Sequence, residues 1–560
     1  MNEKELTLFS IIVGVILAII FAGANAYLGL KAGMTVSASI PAAVISMAIM
    51  QIILRRNSIK ENNIVQTIAS AGEALAAGVI FTIPAFLILN YDVHYFYIFA
   101  TSCIGGILGV LAFIPFRKKF IEEDYKLLPY PEGRACAEVL ISPSRGFEFI
   151  YIILGFFIGF FIRILTNIFS ILKSSFSIII DKFSAFSVDL SPSLIGAGYI
   201  LGIRISSYIF IGGVLGWFVL IPLISFLINK YNFEEIWHSY IRYIGAGGVL
   251  VGGIISFIKN LRAFESFINF KTSKDDIPLH FVIISIASLI IISYFLYHFN
   301  LIGIILAFVF GIIFTAISGR IVGIVGSSSN PISGMTIATL LIVSIIIKKL
   351  GFVGYEGIFI SLTIGAIVCI AAAISGDISQ DLKTGYLVGA KPINQQVSQI
   401  IGVLVSSIII GYVLIILNKA YIIGSKELPA PQATLMSIIL KSSFEGNLPW
   451  ILLLIGGVIS IIFEIIGINS LAVSVGLYLP LGLSSSIFLG GLISKILNRS
   501  YGVIYSSGVI AGDSLGGIIS AIFIIFSLKF FIFQFNELFS FLIILLMFIS
   551  FLLFKLNFKR

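Results

Sequence analysis

Long apolar runs of helical length fill the chain, separated by short polar stretches. A helix needs about 20 apolar residues to cross a bilayer, so the pattern predicts an all-α polytopic membrane protein with about 16 transmembrane segments (15–17), some of them broken or re-entrant. The run from Leu6 to Leu30 is too long for a typical signal peptide and is predicted to be the first transmembrane helix. The predicted segments are 6–30, 34–55, 62–90, 96–116, 148–170, 193–204, 206–228, 239–257, 279–297, 301–322, 332–349, 355–375, 397–417, 448–466, 470–495, 503–528 and 532–554.

Composition supports the same class. Hydrophobic residues make up 59% of the chain and charged residues 11%, against about 25% charged in soluble domains. A water-soluble fold could not hide this much apolar surface, and strands of a β-barrel would alternate apolar and polar residues instead of forming continuous runs. The solvent of this chain is therefore predicted to be lipid.

The net charge of +9 comes from basic residues at the ends of apolar runs, as in Arg55-Arg56 and Arg117-Lys118-Lys119. Basic loops of this kind stay cytoplasmic in membrane proteins, so the charge indicates a bilayer and not a nucleic acid as partner. The three cysteines form no CxxC pair and the four histidines show no metal-ligand spacing. We expect no cofactor and no metal site.

The polar signatures occur twice, about 300 residues apart and in the same order, which predicts a tandem duplication. A duplicated membrane domain with Gly and Pro breaks at matching positions is typical of secondary transporters. The matches pair 33–35 with 334–336 (Gly-Met-Thr), 128–131 with 428–431 (Leu-Pro-X-Pro), 206–213 with 484–491, and 252–256 with 516–520.

The duplication predicts four parts of the chain. They are an N-terminal transmembrane repeat at 1–257, a linker with one extra apolar segment at 258–300, a C-terminal transmembrane repeat at 301–528, and an extra transmembrane segment with a basic tail at 529–560. The sequence leaves open whether the repeats run parallel or inverted.

Carboxylates within the apolar runs are the first candidates for function, because charged groups in a membrane are costly and usually functional. Aligning the repeats brings Gly72-Glu73 near Gly376-Asp377, which predicts two facing acidic positions about a pseudo-two-fold centre. A buried carboxylate can cycle between protonated and ionised forms. The candidates for proton coupling are Glu73, Asp377, Asp381 and Asp513, with Glu464 a weaker one. Alternatively, these acids cap helix N-termini or pair with Lys383 or Arg134.

Two polar stretches, 327–334 and 62–67, are predicted to interrupt helices. Non-helical backbone at membrane depth survives only where protein or a water-filled cavity solvates it, although surface turns are the alternative. The stretch 129–138 predicts a turn followed by a short helix. This helix either gates a pathway through Glu132 and Arg134 or is an ordinary structural element.

Several of these stretches together resemble the oligopeptide transporter family, in particular its prokaryotic branch, which is related to the yellow-stripe-like metal-chelate carriers. The strings are 24–35, 62–67 leading to 72–73, 131–133, 328–336, 376–385 and 428–431. The resemblance implies cation-coupled uptake of short peptides or peptide-like metal chelates by alternating access between two helical halves, with protons as the expected coupling ion. The expected location is the cell inner (plasma) membrane. A carried metal would be held by its chelator. Polar side chains within these strings are the expected substrate ligands, namely Asn25, Asn63, Gln66, Ser329, Asn330, Gln380 and Lys383.

Other functions are weighed against this one. The duplicated Gly- and Ser-rich breaks could instead be the re-entrant pore loops of an ion channel. No HExxH, GxSxG or His-Asp arrangement supports an enzyme. Gly-rich faces allow close helix packing, so a homodimer stays open.

Overall fold

The computed structural model describes residues 4–52, 55, 58–141, 149–179, 185–228, 233–259, 273–297, 301–327, 330–446, 449–497, 501–528 and 533–553. The first half contains helices α1 (Leu8–Ala32), α2 (Ser39–Ile52), α3 (Ile59–Thr82), α4 (Pro84–Ile88), α5 (Tyr95–Arg117), α6 (Pro131–Ile141), α7 (Phe149–Asn167), α8 (Pro192–Val214), α9 (Ile221–Ile228), α10 (Phe233–Ile236) and α11 (Arg242–Lys259). The second half contains α12 (Leu279–Tyr297), α13 (Leu301–Val325), α14 (Ile332–Lys349), α15 (Gly354–Val388), α16 (Pro392–Tyr421), α17 (Pro431–Glu445), α18 (Trp450–Ile465), α19 (Ser470–Tyr478), α20 (Leu481–Ile496), α21 (Gly502–Ile525) and α22 (Glu537–Leu553).

The predicted fold class is confirmed, whereas the count of sixteen segments is not. Within the described residues, eleven helices are long and apolar enough to cross a membrane, and four shorter apolar helices accompany them. The one addition to the helices in this part of the chain is an antiparallel hairpin of β1 (Ser175–Ile179) and β2 (Ala185–Asp189). The hairpin lies in the polar stretch between α7 and α8.

Broken helices occur in both halves. The predicted segments 193–204 and 206–228 belong to one long helical stretch that bends at Gly202, whose φ of 74° leaves the helical region. In the second half, the predicted segment 470–495 is divided at Leu479-Pro480 into α19 and α20. Proline lacks the N–H that a continuing helix requires, so the second break is complete.

The predicted interruption at 62–67 is wrong, since these residues lie inside α3. Their polar side chains are satisfied without unwinding the helix. Asn62 accepts a hydrogen bond from Ser46 at 2.6 Å, and Thr67 donates to the carbonyl of Asn63 at 2.8 Å. Because α3 is buried on all sides by other helices, its polar residues never face lipid.

Helices α3 and α15 form the centre of the protein and run in opposite directions. Ser70 donates a hydrogen bond to Asp377, and Gln66 donates to Asp381. Residue numbers thus fall along α3 as they rise along α15. Since α3 and α15 carry the matching Gly-acid pairs of the two repeats, the repeats are inverted at these helices.

The connecting loops repeat this symmetry. Tyr130 and Ala430 both have left-handed backbone, with φ of 50° and 44°. The N–H of Tyr130 donates to the carbonyl of Gly323 near the end of α13 at 2.8 Å, and the N–H of Ala430 donates to that of Leu30 near the end of α1 at 2.7 Å. Each half therefore supplies a hydrogen-bond donor to a carbonyl near a helix end in the other half.

Glycines bring the outer helices into backbone contact. A Cβ atom added to Gly155 or Gly159 of α7 would lie 2.3 or 2.2 Å from carbonyl oxygens of α21. One added to Gly508 or Gly512 of α21 would lie 2.2 or 1.9 Å from carbonyl oxygens of α7. The pairs α8 with α19 and α20, and α11 with α18, show the same reciprocal contacts. Small residues at such interfaces drive helix packing in lipid.

Candidate functional site

Two non-helical loops meet near the centre of the protein. The first is 33–38, between α1 and α2, and the second lies between α13 and α14, where the structure describes residues 326–327 and 330–331. Each begins at a glycine with positive φ, 71° at Gly33 and 89° at Gly326, which only glycine adopts readily. The predicted interruption at 327–334 is confirmed at Asn330 and Pro331, which are non-helical, but not at 332–334, because α14 begins at Ile332. The predicted ligand Ser329 lies outside the described residues.

A polar cavity lies between these loops and the two central helices. Its volume is about 20 Å³, enough for about one water molecule. Glu73 and Asp377 line it from α3 and α15, and Asn330 lines it from the second loop. The two matching acidic positions therefore face one cavity, as the alignment of the repeats predicted. A larger groove between α1, α2 and α7 is lined by apolar side chains alone in the described residues.

The carboxylate of Glu73 holds the first loop. It accepts hydrogen bonds from the side-chain amide of Asn25 and, at 3.2 Å, from the N–H of Ala38 just before α2. A helix N-terminus favours negative charge, so this amide is a suitable partner. Asn25 also donates to the carbonyl of Val36 at 3.0 Å and accepts from its N–H at 3.3 Å. Asn25 thus joins a predicted coupling residue to the loop.

Asp377 and Asp381 lie one turn apart on α15, on the face that contacts α3. Asp377 accepts from Ser70. Asp381 accepts from Gln66 and, at 3.2 Å, from the hydroxyl of Ser39 on α2. The second oxygen of Asp381 is buried without a hydrogen-bond partner.

No cation neutralises this acidic cluster among the described residues. None of Glu73, Asp377 and Asp381 takes part in an ion pair there. Lys383, two residues before the end of the buried stretch of α15, donates instead to the carbonyl of Ile121 at 2.8 Å. The alternative in which Lys383 pairs with these aspartates is therefore wrong.

Gln380 also faces away from the cavity. Its side chain accepts from the N–H of Gly133 on α6 at 2.7 Å and donates to the carbonyl of Val322 at 2.9 Å. Gln66 and Asn63 lie nearer than Glu73 to the start of α3, where Asn63 donates to Gln66 at 3.2 Å. Of the predicted ligands that the structure describes, Asn330 alone lines the cavity, with Asn25 behind it against Glu73.

The stretch 129–138 is a turn followed by the short helix α6, as predicted. Glu132 at its start accepts a hydrogen bond from Ser327 of the second loop. Arg134 is exposed to solvent. Glu132 therefore connects α6 to the loop that lines the cavity, whereas Arg134 lies at the surface.

Asp513 lies outside the cluster, in a buried ion pair with Arg163. Nε of Arg163 is 2.7 Å from Oδ1 of Asp513, and the side chains are 6% and 0% exposed. Ser191 and the N–H of Ser193 donate to the other oxygen at 2.9 and 3.1 Å. Both oxygens of this carboxylate are thus engaged in joining α7, α8 and α21.

Ser39 and Ser70 are the residues that sequence reasoning missed. Both are fully buried, and their hydroxyl oxygens lie 2.9 Å apart between Asp377 and Asp381. A signal was present for Ser70, which stands three residues before Glu73 in a small-residue stretch. Ser39 follows the first loop directly.

Comparison with known proteins identifies the family. The family model described as OPT oligopeptide transporter protein matches residues 5–272 and 269–524. The chain belongs to the oligopeptide transporter family. A relative in this family is the Haemophilus influenzae protein named "Putative oligopeptide transporter", 31% identical over 89% of this chain and 92% of that protein. The Arabidopsis thaliana protein named "Metal-nicotianamine transporter YSL3" is 23% identical over 75% of this chain and 72% of that protein. The protein is accordingly a multi-pass membrane transporter.

Proposed function

We propose that this transporter takes up short peptides or peptide-like metal chelates together with protons, by alternating access in the plasma membrane. The observation that carries the proposal is the pair Glu73 and Asp377. These equivalent carboxylates come from two inverted halves and line the same polar cavity. Such a site at the interface of inverted repeats is where transporters of this architecture bind substrate and coupling ion.

The charge of the cavity supports proton coupling. Buried ionised carboxylates without a counter-charge are strongly unfavourable, so the cluster needs either protons or a positive group from the substrate. The ammonium group of a peptide, or a metal held by an amino-acid chelator, would supply such a group. Substrate and protons then bind to the same acids, which couples their movement.

The names of the relatives provide the two substrate classes to compare. One relative is named for oligopeptides and the other for metal-nicotianamine. Both classes carry amino and carboxylate groups. The cavity of about 20 Å³ is closed to either substrate, so substrate binding requires an open state. In that state the acids would bind the cationic end, and Asn330 and the loop amides would bind the anionic end.

Basic residues indicate the cytoplasmic side. Lys60 at the start of α3 forms an ion pair with Glu5 at 3.3 Å, and Glu5 accepts from the N–H of Lys391 at 3.0 Å. Arg117 at the end of α5 donates to Asp276 at 3.1 Å. Because basic residues favour the cytoplasm, we assign the end of α3 that begins at Ile59 to the cytoplasmic side.

The test is uptake by proteoliposomes of trialanine and of nickel–nicotianamine, with and without an imposed pH gradient. A thermal-shift screen of di- to pentapeptides against ferric and nickel chelates selects the better substrate first. We expect uptake to accelerate when the outer compartment is acidic and to collapse when a protonophore removes the gradient. Uptake that ignores the gradient would contradict proton coupling, and sustained single-channel currents would favour a channel.

A further inference from the structure

A chain of hydroxyl groups joins two acids that lie on one face of α15. Ser70 of α3 contacts Oδ2 of Asp377. Its hydroxyl is 2.9 Å from the hydroxyl of Ser39 at the start of α2. Ser39 in turn is 3.2 Å from Oδ1 of Asp381. Three contacts therefore connect the four side chains in a row.

The number of hydrogens available to this row is informative. Each serine hydroxyl carries one hydrogen, so the two serines supply two hydrogens for three contacts. The third hydrogen must be on a carboxyl group if all three contacts are hydrogen bonds. When Asp377 is protonated, its bond with Ser70 reverses, so that Asp377 donates and every bond points toward Asp381. When Asp381 is protonated, its bond with Ser39 reverses instead, and every bond points toward Asp377.

We propose that Ser70 and Ser39 form a proton relay between Asp377 and Asp381. In the forward step Asp377 gives its proton to Ser70, Ser70 gives its own to Ser39, and Ser39 gives its own to Asp381. Three O–H bonds break and three form. One proton moves from one carboxyl to the other, with no other change in atoms or charge.

The surroundings give the relay a direction. Asp377 lines the cavity, whereas Asp381 is fully buried behind it beside Gln66. Gln66 is nearer than Ser70 to the start of α3, which we assign to the cytoplasmic side. The relay therefore leads a proton from the substrate cavity toward the cytoplasm, by a path that the substrate does not share.

The charged and titratable neighbours are compatible with one excess proton. Glu132 on α6 is a like-charge neighbour of both Glu73 and Asp377, and Asp377 and Asp381 are like-charge neighbours of Glu73. On α6, the thiol of Cys136 lies 3.7 Å from the carbonyl of Ser39. No lysine or arginine makes an ion pair with either aspartate within the part of the chain that the structure describes. Adding a proton to this group thus relieves like-charge repulsion.

The transport test rests on the proposed function and separates coupling from substrate binding. We expect Ser70→Ala and Ser39→Ala each to slow uptake of trialanine or nickel–nicotianamine driven by a pH gradient about tenfold or more. Exchange of internal for external substrate, which needs no net proton movement, should persist. Ser70→Thr keeps the hydroxyl and should restore gradient-driven uptake. Ser102→Ala, which removes a buried hydroxyl that donates to the carbonyl of Ile98 on α5, is the matched control.

An infrared experiment tests the relay without any substrate. Purified protein in lipid vesicles should show the carbonyl stretch of one protonated carboxyl that disappears in both Asp377→Asn and Asp381→Asn. The same band should shift in Ser70→Ala and Ser39→Ala but not in Ser102→Ala. If uptake proves independent of protons while this band behaves as described, the proposed function fails and the relay stands.

Two results would overturn the relay. One is unchanged gradient-driven uptake in both serine-to-alanine variants together with an unshifted band. The other is uptake that requires sodium and loses that requirement when Ser39 or Ser70 becomes alanine, because the hydroxyls would then be cation ligands.

Discussion

Ala430 donates its backbone N–H to the carbonyl of Leu30 at 2.7 Å, joining a loop of one half to the end of α1 in the other. Tyr130 makes the equivalent bond to Gly323. Since the central helices are antiparallel, these two equivalent junctions belong to opposite faces of the membrane. In each half, a carbonyl in the last turn of one helix thus depends on a hydrogen bond from the other half.

Inversion of the repeats predicts that equivalent loops are accessible to a reagent from opposite sides of the membrane. Lys126 and Lys426 occupy matching positions before the two Leu-Pro-X-Pro turns, and both are exposed. In a background with Cys103, Cys136 and Cys369 replaced by alanine, Lys126→Cys should react with an impermeant maleimide only from the cytoplasmic side. Lys426→Cys should react only from the outside. Labelling of both from one side would refute the inverted arrangement.

The acid of α3 is expected to be essential for coupling. Glu73→Gln keeps the size of the side chain but removes the charge and the exchangeable proton, so proton-driven uptake should fall by roughly 100-fold. The melting temperature should change little. Glu464→Gln is the matched control, because Glu464 accepts from Ser470 at the end of α18, away from the cavity. A Glu73→Gln protein with normal uptake would remove Glu73 from the mechanism.

Asn25 is predicted to order the first loop. Asn25→Ala removes its bonds to Glu73 and Val36 and leaves buried polar groups unpaired, which costs about 1–3 kcal/mol of stability. We expect weaker substrate binding as well as a lower melting temperature. Asn418→Ala, which removes a loop contact to Ile423 at the end of α16, should lower stability without affecting binding. Equal effects of the two substitutions on binding would argue against a role for Asn25 at the site.

Gly376 allows Asn330 to approach α15. A Cβ atom at Gly376 would lie 2.4 Å from the amide nitrogen of Asn330 and 2.8 Å from the hydroxyl of Ser318. Gly376→Ala should therefore displace Asn330 from the cavity and raise the apparent KM. At Gly303 in α13 the nearest atom would be 3.5 Å away, so Gly303→Ala should leave transport intact. It should also stabilise α13 slightly, by up to about 1 kcal/mol. A Gly376→Ala protein with unchanged KM would show that Asn330 does not contact substrate.

Asp513 is expected to act on stability. Asp513→Asn leaves the guanidinium of Arg163 buried without its counter-charge, which costs about 3–5 kcal/mol. Thermal unfolding should show a marked fall in melting temperature. The double variant Arg163→Met with Asp513→Leu should recover much of it, and its residual uptake should still respond to a pH gradient. If the double variant instead lost the response of uptake to pH, and Asp513→Asn left the melting temperature unchanged, Asp513 would again be a candidate for proton coupling.

The sequence predicted the helical membrane fold and the facing acids because these depend on local composition and on the repeat. Apolar runs identify helices without knowledge of their neighbours. Gly72-Glu73 and Gly376-Asp377 are recognisable because the same pair occurs at matching places. The break before α14 and the short helix α6 were predicted from the polar and proline-containing stretches that encode them.

The failures concern which face a residue occupies. Asp377 and Asp381 are four residues apart and share one face of α15, whereas Gln380 faces α6. Helical spacing groups such residues but does not say which neighbour each face contacts. Ser70 and Asp377 are 307 residues apart in the chain, so their contact depends on the antiparallel packing of α3 and α15. The same packing buries 62–67, which the sequence alone predicted to be unwound.

The glycine contacts of the outer helices bear on how the protein moves. Where carbonyl oxygens and α-carbons of α7 and α21 interlock, even a small translation along the helix axis would drive backbone into backbone. The pairs formed by α8 with α19 and α20, and by α11 with α18, are constrained in the same way. We therefore expect each of these helix pairs to move as a rigid unit. The conformational changes of the proposed transport cycle would then be concentrated in the two central loops and in the helices that carry the acids.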